Sequence, residues 1–170
     1  MINKMNKIMT LVVSLFILTA ATQAQTLYKF FDKYGDDERF QYVSVSKGIM
    51  NMATVFGGLA KDEKKMMSKM QGLKILTLEE NSDSPFMKSV LSELNQIVEE
   101  GNFETAVEVR EKGERVNILY RIVGVDNADL LIITKDKGEF SCIWIKGKMT
   151  KEEMMNSFSD NGNPTNQTLS

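Results

Sequence analysis

Histidine is absent from this sequence, and cysteine occurs once, as Cys142. Without histidine the chain cannot build a Ser-His-Asp or Cys-His nucleophilic site, or the usual histidine-ligated zinc site. A single cysteine cannot form an internal disulfide, so the fold must be held together by packing. These absences leave open only chemistry that uses carboxylates, lysine, tyrosine or arginine.

Cys142 lies in the strand-like run EFSCIWIKG. We interpret it as a small buried hydrophobe, because cysteine is among the most buried residue types. The alternative is a reactive thiol. That role needs a neighbouring base, and the sequence offers no histidine to supply one.

An excess of positive charge is also lacking. The chain has 21 lysine and arginine residues against 23 acidic residues, a formal net charge of −2. A nucleic-acid-binding protein needs a concentrated basic face. We therefore expect no nucleic-acid partner, and no motif indicates a cofactor.

Residues 1–24, MINKMNKIMTLVVSLFILTAATQA, have the layout of a secretory signal peptide. Lys4 and Lys7 precede an apolar run at residues 8–21, which is short for a membrane-spanning helix, and small residues lead to Ala24. The alternative, a retained membrane anchor, fits the processing-site pattern less well. No cysteine stands at the cleavage point, so we expect no lipid anchor.

Cleavage after Ala24 would leave 146 residues, a size that suits one domain with its own core. It would remove two lysines and no acidic residue, so the net charge would become −4. We expect a periplasmic or secreted protein with no stable membrane anchor after signal cleavage.

Apolar residues before Gly101 recur mainly at the spacing of amphipathic helices. Predicted helices cover residues 27–34, the run IMNMATVFGG, residues 60–71, a segment from Ser84 and Pro85 to Gly101, and TKEEMMNSF. After Gly101 the period changes to two, and four strand-like runs follow: FETAVEVR, RVNILYRIVGV, DLLIITK and EFSCIWIKG. Short connections between these runs predict an antiparallel meander.

The predicted class is therefore α+β. The expected architecture is an antiparallel sheet made of the C-terminal four-strand meander plus two earlier strands, YVSV and LKILTL, with helices packed on one face. We predict a signal peptide at residues 1–24, a single domain at residues 25–158 and a disordered tail at residues 159–170.

The apolar pattern also predicts the register of the first hairpin of the meander. A two-residue loop at Lys112-Gly113 keeps apolar residues opposite each other, whereas a three-residue loop would set Val107 opposite Asn117. The expected pairs are Arg110 with Arg115, Val109 with Val116, Val107 with Ile118, Thr105 with Tyr120 and Phe103 with Ile122. The face carrying the apolar pairs is expected to lie against the core.

The other face of this predicted sheet is the first candidate binding surface. It sets Arg110 opposite Arg115, and like charges directly across a ladder are unfavourable unless they are neutralised. Either an anionic ligand or partner neutralises them, or nearby glutamates, Glu108, Glu111 and Glu114, screen them. The candidate binding residues of this flat, mixed-charge surface are Arg110, Arg115, Arg121 (expected opposite Glu104) and Glu108.

The run KKMMSKMQG places Met66, Met67 and Met70 close together. On a helix they form one apolar stripe, which favours packing between a helix and the sheet. The alternative is a soft-metal site, because thioethers bind Cu(I). The neighbouring lysines make a cation site electrostatically poorer, so we expect no metal.

The segments FFDKYGDDERFQYVSVSKGIMNMA and GLKILTLEE, with the closing meander, resemble the family named domain of unknown function 4252. The resemblance runs from about Leu27 to Phe158. It implies one compact domain in a small exported protein of Bacteroidetes-type bacteria, and it carries no catalytic or binding residues. Many such proteins look like lipoproteins, and this chain departs from them by lacking a leader cysteine.

The favoured interpretation is an exported, non-enzymatic interaction or ligand-binding module of unknown specificity. Its partner is expected to be a protein or small ligand of the cell envelope. The alternatives are a small carboxylate- or lysine-dependent enzyme, and a methionine-based copper-binding protein.

Overall fold

The computed structural model describes residues 26–80 and 84–153. Helix α1 covers residues 26–35, and the other helices are α2 (Lys47–Phe56), α3 (Lys61–Lys69), α4 (Pro85–Glu100) and α5, of which residues 151–153 are described. The strands are β1 (Phe40–Ser46), β2 (Met70–Glu79), β3 (Glu104–Glu111), β4 (Glu114–Val123), β5 (Asn127–Lys135) and β6 (Glu139–Lys148). The predicted signal peptide and C-terminal tail lie outside the described residues.

The six strands form one antiparallel sheet in the order β1-β2-β6-β5-β4-β3. Strands β3 to β6 are the predicted meander, and the two earlier strands extend it beyond β6. The α+β prediction is therefore confirmed. Short turns connect the meander strands because glycine and polar residues fall between the apolar runs.

Helices α1 and α4 cover one face of the sheet, which we call the helix face. Each buries an apolar stripe there: Leu27, Phe30, Phe31 and Tyr34 from α1, and Met87, Val90, Leu94 and Ile97 from α4. The sheet contributes to the same cluster Phe40, Leu76, Leu78, Leu119, Leu131, Ile133, Phe140, Cys142 and Trp144. This aromatic-rich layer is the main core.

Polar contacts join α1 to α4 at the rim of this core. The Tyr34 hydroxyl donates a hydrogen bond of 2.8 Å to Glu93, and Lys33 lies 2.6 Å from the same carboxylate oxygen. Burial, and then the hydrogen bond to Glu93, raise the pKa of Tyr34 above its ordinary value. The phenol therefore stays a neutral donor at physiological pH.

Helix α4 begins and ends where the sequence predicts. The Ser84 side chain accepts a hydrogen bond of 3.0 Å from the Met87 amide, and Pro85 occupies the first turn, where its missing N–H costs nothing. At the other end, the amide of Gly101 donates to the Ile97 carbonyl at 2.9 Å. A Cβ at Gly101 would lie 2.6 Å from that carbonyl oxygen, which explains the glycine.

The first meander hairpin has the predicted register only near its turn. Lys112 and Gly113 both adopt positive φ, as a type I′ turn requires, and Arg110 faces Arg115, Val109 faces Val116 and Val107 faces Ile118. A bulge at Ala106 then shifts the pairing by one residue, so Thr105 faces Leu119 and Glu104 faces Tyr120. The predicted pairs Thr105–Tyr120, Phe103–Ile122 and Glu104–Arg121 are therefore wrong.

The orientation predicted for this hairpin is also wrong. Val107, Val109, Val116 and Ile118 point away from α1 and α4, whereas Arg110, Arg115 and Arg121 share the helix face with Leu119 and Leu131. The alternation of one hairpin shows which residues share a face. It cannot show which face a distant helix will cover.

Helices α2 and α3 contact each other and strands β1 and β2. In α2 only Met50 is buried, and α3 buries no residue. Met66 is 65% exposed, Met67 and Met70 are half-buried, and Met70 already belongs to β2. The prediction of a buried methionine stripe holding this helix against the sheet is therefore wrong.

Two glycines in the turns of the meander provide a matched test of this backbone geometry. Gly113 has φ +98°, which side-chain-bearing residues rarely adopt, whereas Gly138 has no positive φ, and a Cβ added there would have no described atom within 4 Å. Gly113→Ala should lower the free energy of unfolding by about 1 kcal/mol or more, and Gly138→Ala should change it by less than about 0.5 kcal/mol. Urea unfolding of both variants measures this, and equal effects would contradict the turn assignment.

Candidate functional site

The face of the sheet opposite α1 and α4, which we call the open face, carries a continuous aliphatic row. Pairing of the strands sets one β-branched residue from every strand side by side, at a single level of the sheet. The row consists of Val43, Ile75, Ile143, Ile132, Ile118 and Val107. We call it the central row.

Two further rows flank the central row. The one nearer the hairpin turns is polar on the β1 side and apolar on the β3 side: Gln41, Thr77, Ser141, Thr134, Val116 and Val109. The one nearer the α2 end is mainly aliphatic: Val45, Leu73, Ile145, Leu130, Tyr120 and Glu104. Charged side chains in these three rows are thus confined to Glu104 at the β3 edge.

The central row keeps part of its surface accessible. Val43 is 49% exposed, and the other five residues are half-buried, as expected for side chains shielded only by their neighbours in a sheet. None of the six belongs to the core cluster that α1 and α4 form. At one corner of the open face, Met149 packs against a smaller cluster around Tyr120 and Ala128.

The sequence contains a signal for this face that the hairpin analysis missed. The runs DLLIITK in β5 and CIWI in β6 are apolar at successive positions, so these strands present aliphatic side chains to both faces. A strand that is apolar on both sides is typical of a sheet covered on both sides. Here α1 and α4 cover one side. The other side carries aliphatic side chains, as a protein interface does.

Arg110 and Arg115 lie opposite each other as predicted, at an exposed corner of the helix face. Arg110 donates hydrogen bonds of 2.9 and 2.6 Å to Glu108. Glu108 therefore neutralises one arginine of the pair, which favours the screening alternative over an anionic ligand. These three predicted residues are brought together, although not on the open face.

Arg121 is separated from them and buried. It is only 6% exposed, and its Nε donates a hydrogen bond of 2.8 Å to Asp129, which is 3% exposed. The same guanidinium approaches the Gly101 carbonyl at 3.4 Å and lies over the Phe103 ring. The prediction that Arg121 lies on an exposed sheet face is wrong, because this side chain ends in a buried ion pair.

The partner carboxylate holds three strands together. Asp129 on β5 accepts from Arg121 on β4 and, at 3.0 Å, from the indole nitrogen of Trp144 on β6. A buried charge is tolerated only when it is paired and hydrogen-bonded. This Arg121–Asp129–Trp144 group therefore has a structural role beneath the C-terminal end of α4.

The described residues contain no group of three acidic or cysteine side chains arranged to hold a metal ion. The copper alternative would rest on Met66, Met67 and Met70, of which the first is mostly exposed. Four lysines precede or separate these thioethers in α3, and their charge disfavours a cation. The expectation of no metal stays a prediction.

Cys142 lies in the core with no exposed surface. Burial raises the pKa of its thiol well above the ordinary range, because the apolar layer does not solvate a thiolate. The interpretation as a small buried hydrophobe fits this environment.

A crevice of about 270 Å³ lies beside Tyr28 of α1. Lys146 donates to the Tyr28 hydroxyl at 2.8 Å, and Lys74 lies 2.9 Å from Asp32. Both ammonium groups thus have partners within the protein. These two contacts join α1 to the sheet beside the crevice.

The two ends of the open face differ in charge. At the hairpin turns, a shallow groove of about 790 Å³ is lined by five carboxylates, Glu79, Glu111, Glu114, Asp136 and Glu139, against Lys112 and Lys137. At the opposite end of β2, helices α2 and α3 carry five lysines against two carboxylates, Asp62 and Glu63. One of these lysines, Lys69, pairs with Glu153 at 2.6 Å.

These features define a small α+β protein with a six-stranded antiparallel sheet, one face covered by α1 and α4 and, in the part of the chain that the structure describes, an aliphatic face opposite them. The chain belongs to the family described as domain of unknown function (DUF4252), whose pattern matches residues 28–157. No curated protein matches the chain. Among the described residues, no helix has both the length and the apolar character needed to cross a membrane.

Removing the charge of Asp129 tests the buried ion pair. Asp129→Asn should lower the free energy of unfolding by about 3 to 5 kcal/mol, because it leaves the Arg121 guanidinium buried without a counter-charge. The double variant Arg121→Met, Asp129→Leu should lower the free energy of unfolding much less, since no unpaired charge remains buried. Urea unfolding compares the two, and a double variant as unstable as the single one would contradict this account.

The burial of Cys142 predicts that its thiol is unreactive in the native state. Iodoacetamide should label the protein in denaturant and leave it unlabelled in buffer, because the reagent requires an accessible thiolate. Mass spectrometry of both samples measures the difference. Rapid native labelling would show that Cys142 is accessible, contrary to the structure.

Proposed function

We propose that this protein is an exported, non-enzymatic interaction module that binds the surface of another folded protein through its open face. The central row supports the proposal most directly. It places six β-branched side chains at one level of an accessible sheet. Contiguous apolar patches larger than a few hundred Å² typically mark interaction sites on proteins.

The shape of the open face favours a protein surface over a small ligand. Small molecules bind in concave sites that enclose most of their area. The three rows lie on a continuous sheet; the acidic groove borders them at the turn end, and the Tyr28 crevice lies on the helix face. A flat aliphatic area is complementary to another flat surface, such as a second sheet or the side of a helix pair.

Charge at the turn end of the open face disfavours contact of the whole face with a lipid bilayer. Anionic membrane surfaces attract lysine and arginine clusters placed around an apolar face. The turn end of the open face instead carries five carboxylates against two lysines. That end would be repelled from an anionic bilayer.

Site-specific photo-crosslinking tests this function. With p-benzoylphenylalanine in place of Ile143, at the centre of the open face, irradiation of intact cells should join the chain to a polypeptide. The same group in place of Lys88, which is exposed on α4, should give no such product. Denaturing gels and mass spectrometry identify the products.

A second substitution shows whether the product depends on the aliphatic surface. Adding Ile132→Lys beside the photo-reactive group should abolish the crosslink, because a charge at the centre of the row cannot be desolvated without a partner. Crosslinks to lipid alone, or equal crosslinks from positions 143 and 88, would refute the proposed function.

Export is tested separately from binding. The sequence of residues 1–24 supports cleavage after Ala24, so the mature chain should begin at Gln25. Intact-mass spectrometry of the protein recovered from the periplasm or the medium measures this. Recovery of the uncleaved chain from the cytoplasm would contradict the expected export.

A further inference from the structure

We infer that the partner on the open face is a second copy of this chain, bound face to face. The two-fold axis lies in the plane between the two sheets and is perpendicular to the strands. This inference rests on the proposed function and names its partner. It follows from the area of the face, its self-complementary shape and the distribution of charge at its two ends.

The area of the open face suits a stable dimer. Six strands about 4.8 Å apart, with three rows of side chains about 7 Å apart, give a face of roughly 600 Å² once the outer side chains are included. Two such faces would bury about 1,200 Å² in total, which reaches the size of specific protein interfaces. The exposed apolar side chains of α2, such as Met52 and Phe56, would add to this area if the partner reached them.

The shape of the face is complementary to itself. Two sheets pack face to face with their strands nearly aligned, and side chains of the two inner faces interdigitate. A two-fold axis brings the same patch of both copies together, so the central row of one copy would lie across the central row of the other. Valine and isoleucine have few rotamers to lose, so ordering them costs little.

Charge selects the direction of the two-fold axis. With the axis parallel to the strands, the acidic turn ends of both copies would meet and repel each other. With the axis perpendicular to the strands, each strand would lie over the same strand of the partner, so Glu79 at the turn end of β2 would face the lysine-rich α2–α3 end of the partner's β2. The second arrangement forms two attractive contacts, one at each end of the paired β2 strands.

Pairing through the β3 edge of the sheet is less favourable. The outer edge of β3 is interrupted by the bulge at Ala106, and this strand carries Glu104, Glu108 and Glu111. Two copies of β3 side by side would place these carboxylates close together. Bulges and charged side chains are the features by which edge strands avoid such pairing.

The oligomeric state of the exported full chain tests the inference. Analytical ultracentrifugation over about 1 to 100 µM should show a reversible dimer. Ile132→Lys should raise the dissociation constant at least about 30-fold, as expected for a charge at the centre of an interface. The control Thr105→Lys places the same charge on an exposed β-branched residue of the helix face and should leave dimerisation unchanged. Circular dichroism confirms that both variants remain folded.

Charge reversal tests the direction of the axis. Glu79→Lys with Glu139→Lys makes the turn end of β2 and β6 basic, and Lys64→Glu with Lys65→Glu makes α3 acidic. Each pair of substitutions alone should weaken the dimer about tenfold, because like charges then face each other at both contacts. All four substitutions together in one chain should restore it, since the signs are exchanged at both ends.

The outcomes separate this inference from the proposed function. A wild-type chain that stays monomeric up to about 100 µM, or that crosslinks from position 143 only to a different protein, would overturn the inference and leave the proposed function standing. A dimer insensitive to Ile132→Lys would overturn the inference as well, because another surface would then hold the copies together. If each pair of charge-reversing substitutions, made alone, left the dissociation constant of the dimer unchanged, the proposed axis would be refuted.

Discussion

The buried ion pair of Arg121 and Asp129 is the interaction on which the arrangement of this sheet depends. The two residues are direct partners across β4 and β5, and Asp129 also receives the indole N–H of Trp144 from β6. A slip of one residue between these strands would send the guanidinium and the carboxylate to opposite faces, each without its partner. The register of the three central strands is thereby fixed, and so are the rows on the open face.

The same group ties the sheet to its helix layer. Arg121 reaches the Gly101 carbonyl at the C-terminal end of α4, where the helix dipole favours a positive charge. Trp144 packs edge-on against Tyr28 and tilted against Phe31, both from α1. Two helices distant in sequence therefore settle on the face that holds the ion pair. The opposite face is left to its rows of side chains, of which the central row carries no polar group.

The charge of this protein is informative through its position more than through its sum. A net charge of −2 conceals an excess of carboxylates at the hairpin turns and an excess of lysines in α2 and α3. These two groups lie at opposite ends of β2 and border a nearly uncharged aliphatic area. Such a layout would orient the proposed partner by long-range electrostatics, while the apolar area would supply the contact.

The sequence alone determined the local elements of this protein. Spacing of apolar residues located the helices and strands, Ser84-Pro85 and Gly101 bounded α4, and Lys112-Gly113 defined the hairpin turn, because each depends on neighbours in the chain. Only the tertiary structure decided which face the helices cover, since both faces of β5 and β6 are apolar and either could form the core. It also placed Arg121 inside, because its partner Asp129 and the Trp144 indole come from other strands, and the Ala106 bulge shifted the expected pairing. The open face, and with it the candidate binding surface, became visible only when the six strands aligned one β-branched residue each into one row.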